Sequence, residues 1–261
     1  MAGLDPSLET AANYRRFAEG EAAGRSPVYE RLAYAVAEDP VVLRFLSGLP
    51  ELKRQPNLLF AAARLLSADA TPSASGLRRL VVERGHELAT AMLTRRTQTN
   101  EPARAAALLP ALAQIAGETG KPLALIEVGA SAGLVLQVDR YSYDYGAVTL
   151  VGADPLAPVL RCEARGATPV PAALPAIAWA GRLDLNPLDP ADPDDAAWLA
   201  CLVWPDQPER AARLDAALAT ARRRPLPVTA GDLVADLPAL IRDLGVRWVS
   251  NEGPGVLPDV D

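Results

Sequence analysis

A glycine-rich turn, Gly129-Ala-Ser131-Ala-Gly133, follows a continuous apolar run that begins at Leu123, and its residue types allow two chemistries. As Gly-x-Ser-x-Gly, the turn matches the nucleophile elbow of a hydrolase, with Ser131 as the attacking group. Together with the preceding Glu127, it matches the first loop of a methyltransferase, which has no nucleophile. The remainder of the chain has to distinguish these alternatives.

The hydrolase interpretation lacks a base for the serine. In the usual α/β-hydrolase order the histidine follows the serine, but the single histidine, His86, precedes Ser131. Lys53 and Lys121 stand in no motif that indicates a serine–lysine pair. A serine hydrolase therefore remains the weaker alternative.

Two phosphate-binding motifs do not match the turn. A dinucleotide loop has glycine at its first, third and sixth positions, where this sequence has Gly129, Ser131 and Leu134. The carboxylate of Glu127 would also repel a pyrophosphate. A P-loop ends in Gly-Lys-Ser/Thr, and Gly133 is followed by Leu134 and Val135.

The methyltransferase interpretation accounts for more of these residues. S-adenosylmethionine carries an ammonium and a sulfonium, so an acid at Glu127 favours its binding. Gly129 and Gly133 let the backbone approach the ligand closely. A helix expected to begin near Ser131 would place its N-terminus beside the methionine carboxylate. The sequence thus predicts S-adenosylmethionine as a small-molecule cofactor.

Two later acids follow strand candidates in the same manner. Asp184 closes "AIAWAGRLDL", where a carboxylate can accept hydrogen bonds from both ribose hydroxyls. Asp232 follows "PLPVTA", where it can accept a hydrogen bond from the adenine amino group. Each acid alone is also explained as a cap or turn former. Six residues are the predicted cofactor-binding set: Glu127, Gly129, Ser131, Gly133, Asp184 and Asp232.

A second, weaker set of residues is predicted for the substrate site: Asn100, Glu101, Arg104, Trp204, Asp206 and Glu252. The first three stand at a helix start, and capping is their simpler explanation. The catalytic residues remain unidentified, and no metal site is expected.

Periodicity divides the chain near Gly120. Before this residue apolar residues recur at helical spacing, which predicts an all-helical N-terminal region over residues 1–120. After it, strand and helix patterns alternate over residues 121–261, which predicts an α/β domain with a mostly parallel sheet. With the glycine turn, the fold class is a Rossmann-like, class I methyltransferase-type domain.

Composition excludes several function classes. The net charge of -6 and pI near 5.0 indicate no nucleic-acid partner and no anionic membrane surface. Two distant cysteines form neither a disulfide framework nor a zinc motif. The N-terminus lacks the apolar core of a signal peptide, and no run is long enough to span a membrane. We expect a cytoplasmic protein of undetermined oligomeric state.

Four segments resemble an uncharacterised bacterial family, domain of unknown function 2332: "TQTNEPARAAALLPAL", "IEVGASAGLVLQVDRYSYDYG", "LDLNPLDPADPDDAAWLACLVWPDQPERAARLDAALA" and "RWVSNEGPGV". The resemblance implies a helical N-terminal region on a methyltransferase-like α/β domain, without implying a reaction. Compared with the family pattern, this copy is shortened after residue 240 and is expected to lack one strand–helix unit. A non-catalytic binding or assembly protein on a degenerate methyltransferase fold is therefore the main alternative to an enzyme.

Overall fold

The computed structural model describes residues 6–67, 73–243, 248–250 and 253–255. The chain forms two compact units, each built from two separated stretches. The first unit comprises Met1–Thr99 and Pro193–Ala212, and the second comprises Asn100–Asp192 and Arg213–Asp261. The predicted domain division at residue 120 stays a prediction.

The described residues include nine α-helices: α1 Pro6–Phe17, α2 Pro27–Glu38, α3 Pro40–Ser47, α4 Pro56–Leu66, α5 Ala74–Thr94, α6 Arg104–Thr119, α7 Pro193–Leu202, α8 Pro208–Arg223 and α9 Leu233–Asp243. Proline stands at the first position of several of them, where its missing N–H costs no helical hydrogen bond. A π-helical turn (Ala18–Ala22) and two 3₁₀ turns (Glu51–Lys53 and Leu134–Leu136) complete the helical elements described.

Eight strands are described: β1 Leu123–Val128, β2 Ser142–Asp144, β3 Thr149–Leu150, β4 Val159–Arg161, β5 Ile177–Asp184, β6 Val228–Ala230, β7 Trp248–Ser250 and β8 Gly253–Gly255. The main sheet has the order β1-β5-β6 and is parallel throughout. The structure thus confirms a mixed α/β protein with a parallel sheet after the first helices.

Aromatic side chains fill the core of the first unit. Phe60 of α4 is fully buried, and its ring lies 4.8 Å from Tyr29, 6.0 Å from Tyr14 and 6.1 Å from Phe17, centroid to centroid. Trp204 follows α7 and contacts the rings of Phe17 and Tyr29. Edge-to-face and tilted pairs of this kind add to the burial of apolar area, so α1, α2 and α4 share one core with the α7–α8 connection.

The main sheet belongs to the second unit, and β5 is its central strand. The continuous apolar run of β1 predicts a strand that is buried on both faces. That expectation is wrong: β1 is an edge strand, Leu123 alone is buried, and Val128 is exposed.

Two pairings differ from the predicted ones. The sequences "AVTLVG" and "APVLRCEA" predict a β-hairpin or meander, but β3 and β4 both pair with β2, antiparallel for β3 and parallel for β4. The last predicted strand, β7, pairs antiparallel with β8 in a two-stranded sheet. The predicted shortening after residue 240 falls partly on residues 244–247, which lie outside the described residues.

The boundary of α6 also differs from the expected one. Asn100 was the predicted N-cap, but the helix begins at Arg104 after Ala103. Gly120 in the sequence predicts a glycine stop for this helix, and the structure confirms it, because Gly120 has a φ of 63° in the left-handed region. Over the described part of the chain, no helix is both long enough and apolar enough to cross a membrane.

Candidate functional site

Three predicted acids lie at the carboxyl end of the main sheet, which we call the carboxyl edge (Glu127, Asp184 and Asp232). Glu127 is the next-to-last residue of β1 and Asp184 is the last residue of β5. Asp232 comes two residues after β6, and Gly231 N–H donates to Asp184 O over 3.0 Å. The three strands run parallel, so the three acids lie at the same end of the sheet. Their role in binding a cofactor stays a prediction.

The loop after β1, residues 129–133, is the glycine loop. Three of its five residues have left-handed φ angles: 70° at Gly129, 50° at Ser131 and 69° at Gly133. A Cβ at Gly129 would meet no atom within 4 Å, whereas one at Gly133 would collide with the side chain of Arg182. Glycine is therefore favoured by conformation at both positions and required by packing at Gly133.

The α-helix expected to begin near Ser131 is not formed. Gly133 is followed instead by the three-residue 3₁₀ turn Leu134–Leu136. A turn this short has no helix dipole to bind an anion. The prediction that a helix N-terminus binds the cofactor carboxylate is therefore wrong.

Asn100 holds the glycine loop from outside. Its Nδ2 donates to Ala130 O over 3.0 Å, and Leu134 N–H donates to its Oδ1 over 2.6 Å. The side chain is buried. Asn100 therefore joins the two ends of the glycine loop. The position of Asn100 near a helix start in the sequence did not indicate this contact.

Asp184 is bound by backbone amides. Ser131 N–H donates to its Oδ2 over 2.8 Å and Asn186 N–H donates to its Oδ1 over 2.7 Å. The residue is only 6% exposed. This carboxylate therefore ties the glycine loop to the end of β5, and its predicted role as the ribose acceptor stays a prediction.

Asp232 caps helix α9. Its Oδ1 accepts from Val234 N–H over 2.8 Å and from Ala235 N–H over 3.1 Å. In return, Asp232 N–H donates to Asp236 Oδ2 over 2.7 Å. The side chain is exposed, and capping, the simpler explanation, accounts for its contacts.

Glu127 differs from the other two acids because part of its carboxyl has no partner. The side chain is half-buried, and its Oε2 is shielded from solvent without a hydrogen bond. The pKa of Glu127 is raised to about 7, mainly by burial; the charge of Arg104 lowers it, that of Asp184 raises it and that of Arg182 lowers it, and burial prevails. Glu127 is thus the acid of the carboxyl edge that still requires a cation or donor.

Arg182 lies at the centre of the site, and the sequence analysis did not select it. It is 7% exposed and stands opposite Glu127 in the register of β1 and β5. Its Nη1 donates to Leu188 O over 2.8 Å, and its Nε has no partner. An arginine inside an otherwise apolar strand was the signal that could have identified it.

Glu101 and Arg104 contribute differently to the second unit. Glu101 Oε1 accepts from Ala103 N–H over 3.1 Å and from Arg213 Nε over 2.8 Å, so it both caps and forms an ion pair. Arg104 is exposed at the first turn of α6, and its charge lowers the pKa of Glu127. Its predicted role in substrate binding stays a prediction.

Trp204 and Asp206 belong to the first unit. Trp204 Nε1 donates to Asn57 Oδ1 over 3.0 Å. Asp206 Oδ2 accepts from Val28 N–H over 3.3 Å at the start of α2. Both residues therefore contribute to the packing of that unit, and their predicted role in substrate binding stays a prediction. Glu252, the last predicted substrate residue, lies outside the described residues.

Ser131 has one feature of a nucleophile elbow and lacks the others. Its positive φ is the strained geometry expected of such a serine. However, the residue is 2% exposed and no α-helix follows it. His86 is exposed on α5 of the first unit. In the part of the chain that the structure describes, no cluster of three or more metal-ligating side chains is present.

The tyrosines that alternate in "RYSYDYG" predict packing against the sheet in preference to stacking on a substrate, and their side chains do pack inside the second unit. Tyr141 O–H donates to Leu134 O, Tyr143 O–H to Val138 O and Tyr145 O–H to Ala106 O, over 2.6 to 2.7 Å. All three residues are buried. They support the segment after the glycine loop and do not form a stacking surface.

The comparisons with known proteins give one match. A family model described as "uncharacterized protein conserved in bacteria (DUF2332)" matches residues 11–250. None of the curated proteins and none of the solved structures matches the chain.

Proposed function

The chain belongs to this uncharacterised bacterial family, and we propose that its second unit is a Rossmann-like domain that binds S-adenosylmethionine at the carboxyl edge. The protein would then be an S-adenosylmethionine-dependent methyltransferase or a close derivative of one. In parallel α/β sheets, ligands bind outside the carboxyl ends of the strands.

The observation that carries this proposal is that Glu127 Oε2 is buried without a hydrogen-bond partner. A carboxyl group shielded from solvent with an oxygen lacking a partner is costly unless a cation or donor reaches it. The cofactor provides an ammonium and a sulfonium. Beside Glu127, Val128 and Gly129 are exposed, so a ligand has access to this end of β1.

Gly129 adds a steric argument. Space is open around its Cα on the side where a Cβ would project. A ligand can therefore approach the backbone there, as in the cofactor loops of nucleotide-binding folds. Ser131 and Gly133 support the loop in this proposal, and Asp184 and Asp232 position the strand ends.

Methyl transfer is compatible with a site that has no nucleophile. The methyl group passes directly from the sulfonium to an acceptor, so positioning of the two reactants supplies much of the rate enhancement. The protein needs only to hold the sulfonium and to exclude competing water. The methyl acceptor is left open by this proposal.

Titration calorimetry with S-adenosylmethionine and S-adenosylhomocysteine tests the proposal. We expect binding to the wild-type protein and at least tenfold weaker binding to Glu127→Gln, because the variant loses the charge that faces the ammonium. Glu118→Gln, exposed near the end of α6, is the matched control and should bind normally.

A second pair of variants tests the loop. Gly129→Asn keeps a residue that tolerates a left-handed φ while adding a side chain at the proposed ligand surface. Gly146→Asn makes the same change at a φ of 83°, also with open space around the Cβ. Weakened binding in Gly129→Asn alone supports the site, and equal effects in both variants contradict it.

A specific observation favours the alternative, a non-catalytic binding or assembly protein. The carboxylates of Asp184 and Asp232 are bound to backbone amides and serve the fold. If neither S-adenosylmethionine nor S-adenosylhomocysteine binds at millimolar concentration, the enzyme proposal is overturned and this alternative is preferred.

A further inference from the structure

Glu127 and Arg182 are neighbours of opposite charge that do not form an ion pair. They are register partners on β1 and β5, so their side chains project from the same face of the sheet, with the strands about 4.8 Å apart. Nevertheless, Glu127 Oε2 and Arg182 Nε are both buried without a hydrogen-bond partner. Two opposite charges so placed ordinarily bind one another or something between them.

The guanidinium of Arg182 has carbonyl partners only. Nη1 donates to Leu188 O over 2.8 Å and more weakly to Ser131 O over 3.4 Å, and Nη2 donates to Leu226 O over 3.5 Å. Among the described residues, no carboxylate lies within ion-pair distance of it. The carboxylates of Asp189, Glu127 and Asp184 act on the guanidinium only from beyond that distance. This buried cation therefore has no direct anionic partner in the described part of the chain and can still bind a carboxylate.

We infer that the buried Glu127–Arg182 pair binds the α-amino-acid end of a ligand, with Glu127 facing the ammonium and Arg182 binding the carboxylate. The inference rests on the proposed function, in which the methionine end of the cofactor is that group. Arg182 also provides a partner for the ligand carboxylate, which no helix N-terminus provides because a 3₁₀ turn follows the glycine loop. An ammonium and a carboxylate on one carbon match two opposite charges on adjacent strands.

Entry of the ligand requires the glycine loop to move. Gly133 lies against the Arg182 side chain, and Ser131 O accepts one of its hydrogen bonds. Gly129 and Gly133 adopt either sign of φ at little cost, so the loop can change conformation at both ends. Binding therefore exchanges the carbonyl contacts of Arg182 for a charge-assisted bond to the carboxylate.

The experiment compares S-adenosylmethionine with its decarboxylated form, which differs only by the carboxylate, on the wild-type protein. Calorimetry should show at least tenfold tighter binding of the intact molecule. Arg182→Met, which retains the apolar stem, should bind both molecules equally, whereas Arg161→Met at an exposed position should preserve the difference.

The outcomes separate the two proposals. Equal binding of both molecules to the wild-type protein overturns this inference and leaves the proposed function intact. If neither molecule binds, the proposed function is overturned, and the binding of free L-methionine then tests the amino-acid site separately. Binding of L-methionine that requires Arg182 upholds this inference. No binding of L-methionine overturns this inference as well. The wild-type ligand comparison remains decisive even if Arg182→Met fails to fold.

Discussion

The backbone N–H of Ser131 donates a 2.8 Å hydrogen bond to Asp184 Oδ2, which joins the glycine loop after β1 to the last residue of β5. The other carboxylate oxygen accepts from Asn186 N–H. One buried acid thus organises the loops that follow two neighbouring strands. The same residue type at a strand end can bind a ligand or the backbone, and here it binds the backbone.

Asp184→Asn should destabilise the protein. An amide offers one acceptor oxygen in place of two, so Ser131 or Asn186 loses its partner in a buried position, at a cost of about 1–3 kcal/mol. Asp232→Asn is the matched control, because this exposed acid also binds two amides and asparagine is an equally good cap. Urea denaturation of both variants measures the difference. Equal stability of the two would contradict the role given to Asp184.

Asn100→Ala should cost more than an ordinary cap substitution. It leaves Ala130 O and Leu134 N–H without their side-chain partner, and we expect a loss of about 2–4 kcal/mol from two such groups. Asn100→Asp retains the acceptor for Leu134 N–H but sets a carboxylate against Ala130 O, so it should not restore stability. Chemical denaturation checks both, and a loss below about 0.5 kcal/mol for Asn100→Ala would refute the contact.

Glu127 should make the stability of the protein fall as pH rises. Its pKa of about 7 in the folded protein lies above the ordinary value of 4.5, so the folded state binds more protons than the unfolded state between these values. The resulting stabilisation is complete below pH 4.5 and is lost as pH passes through 7. The stabilisation that is lost between pH 5 and pH 8 amounts to about 2–3 kcal/mol.

The measurement is urea unfolding of wild-type protein and Glu127→Gln at pH 5 and pH 8. Glutamine does not titrate, so the variant should gain about 2–3 kcal/mol relative to wild type across this range. Glu118→Gln is the control. The charges that act on Glu127 are those of Arg104, Arg182 and Asp184. If the difference in unfolding free energy between the two proteins is the same at pH 5 and pH 8, burial does not raise the pKa of Glu127.

Asp206→Ala should destabilise the first unit by about 1–2 kcal/mol. Its carboxylate accepts from Val28 N–H, while Ser26 Oγ accepts from Tyr29 N–H, so both residues cap the first turn of α2. Ser26→Ala is a matched variant at the same helix end and should cost about 1 kcal/mol. Thermal unfolding followed by circular dichroism measures both. No change in either melting temperature would argue against capping.

Ser131 should resist labelling by a fluorophosphonate probe. The residue is 2% exposed, and its backbone N–H is bound to Asp184. A buried serine without a nearby base attacks such probes slowly. Mass spectrometry of probe-treated native protein checks this expectation, with Ser131→Ala as the control. Labelling of the wild-type protein alone would revive the hydrolase interpretation.

The sequence alone predicted the elements and the places where acids occur. Proline and apolar spacing located α2 and α4, the glycine stop located the end of α6, and three strand ends located Glu127, Asp184 and Asp232. These features are local: backbone restriction by proline and glycine, and periodicity, act within a few residues of one another. Family membership also followed from segments read in order along the chain.

Tertiary structure alone decided which of these residues is available for chemistry. Asp184 binds Ser131 across 53 positions, Asn100 reaches Leu134 across 34, and Arg182 becomes the register partner of Glu127. The sequence shows the same residue type whether a carboxylate or an amide binds a distant backbone group or a ligand. Only folding brings the competing partners within hydrogen-bond distance, so the availability of Glu127 and the engagement of Asp184 follow from long-range contacts.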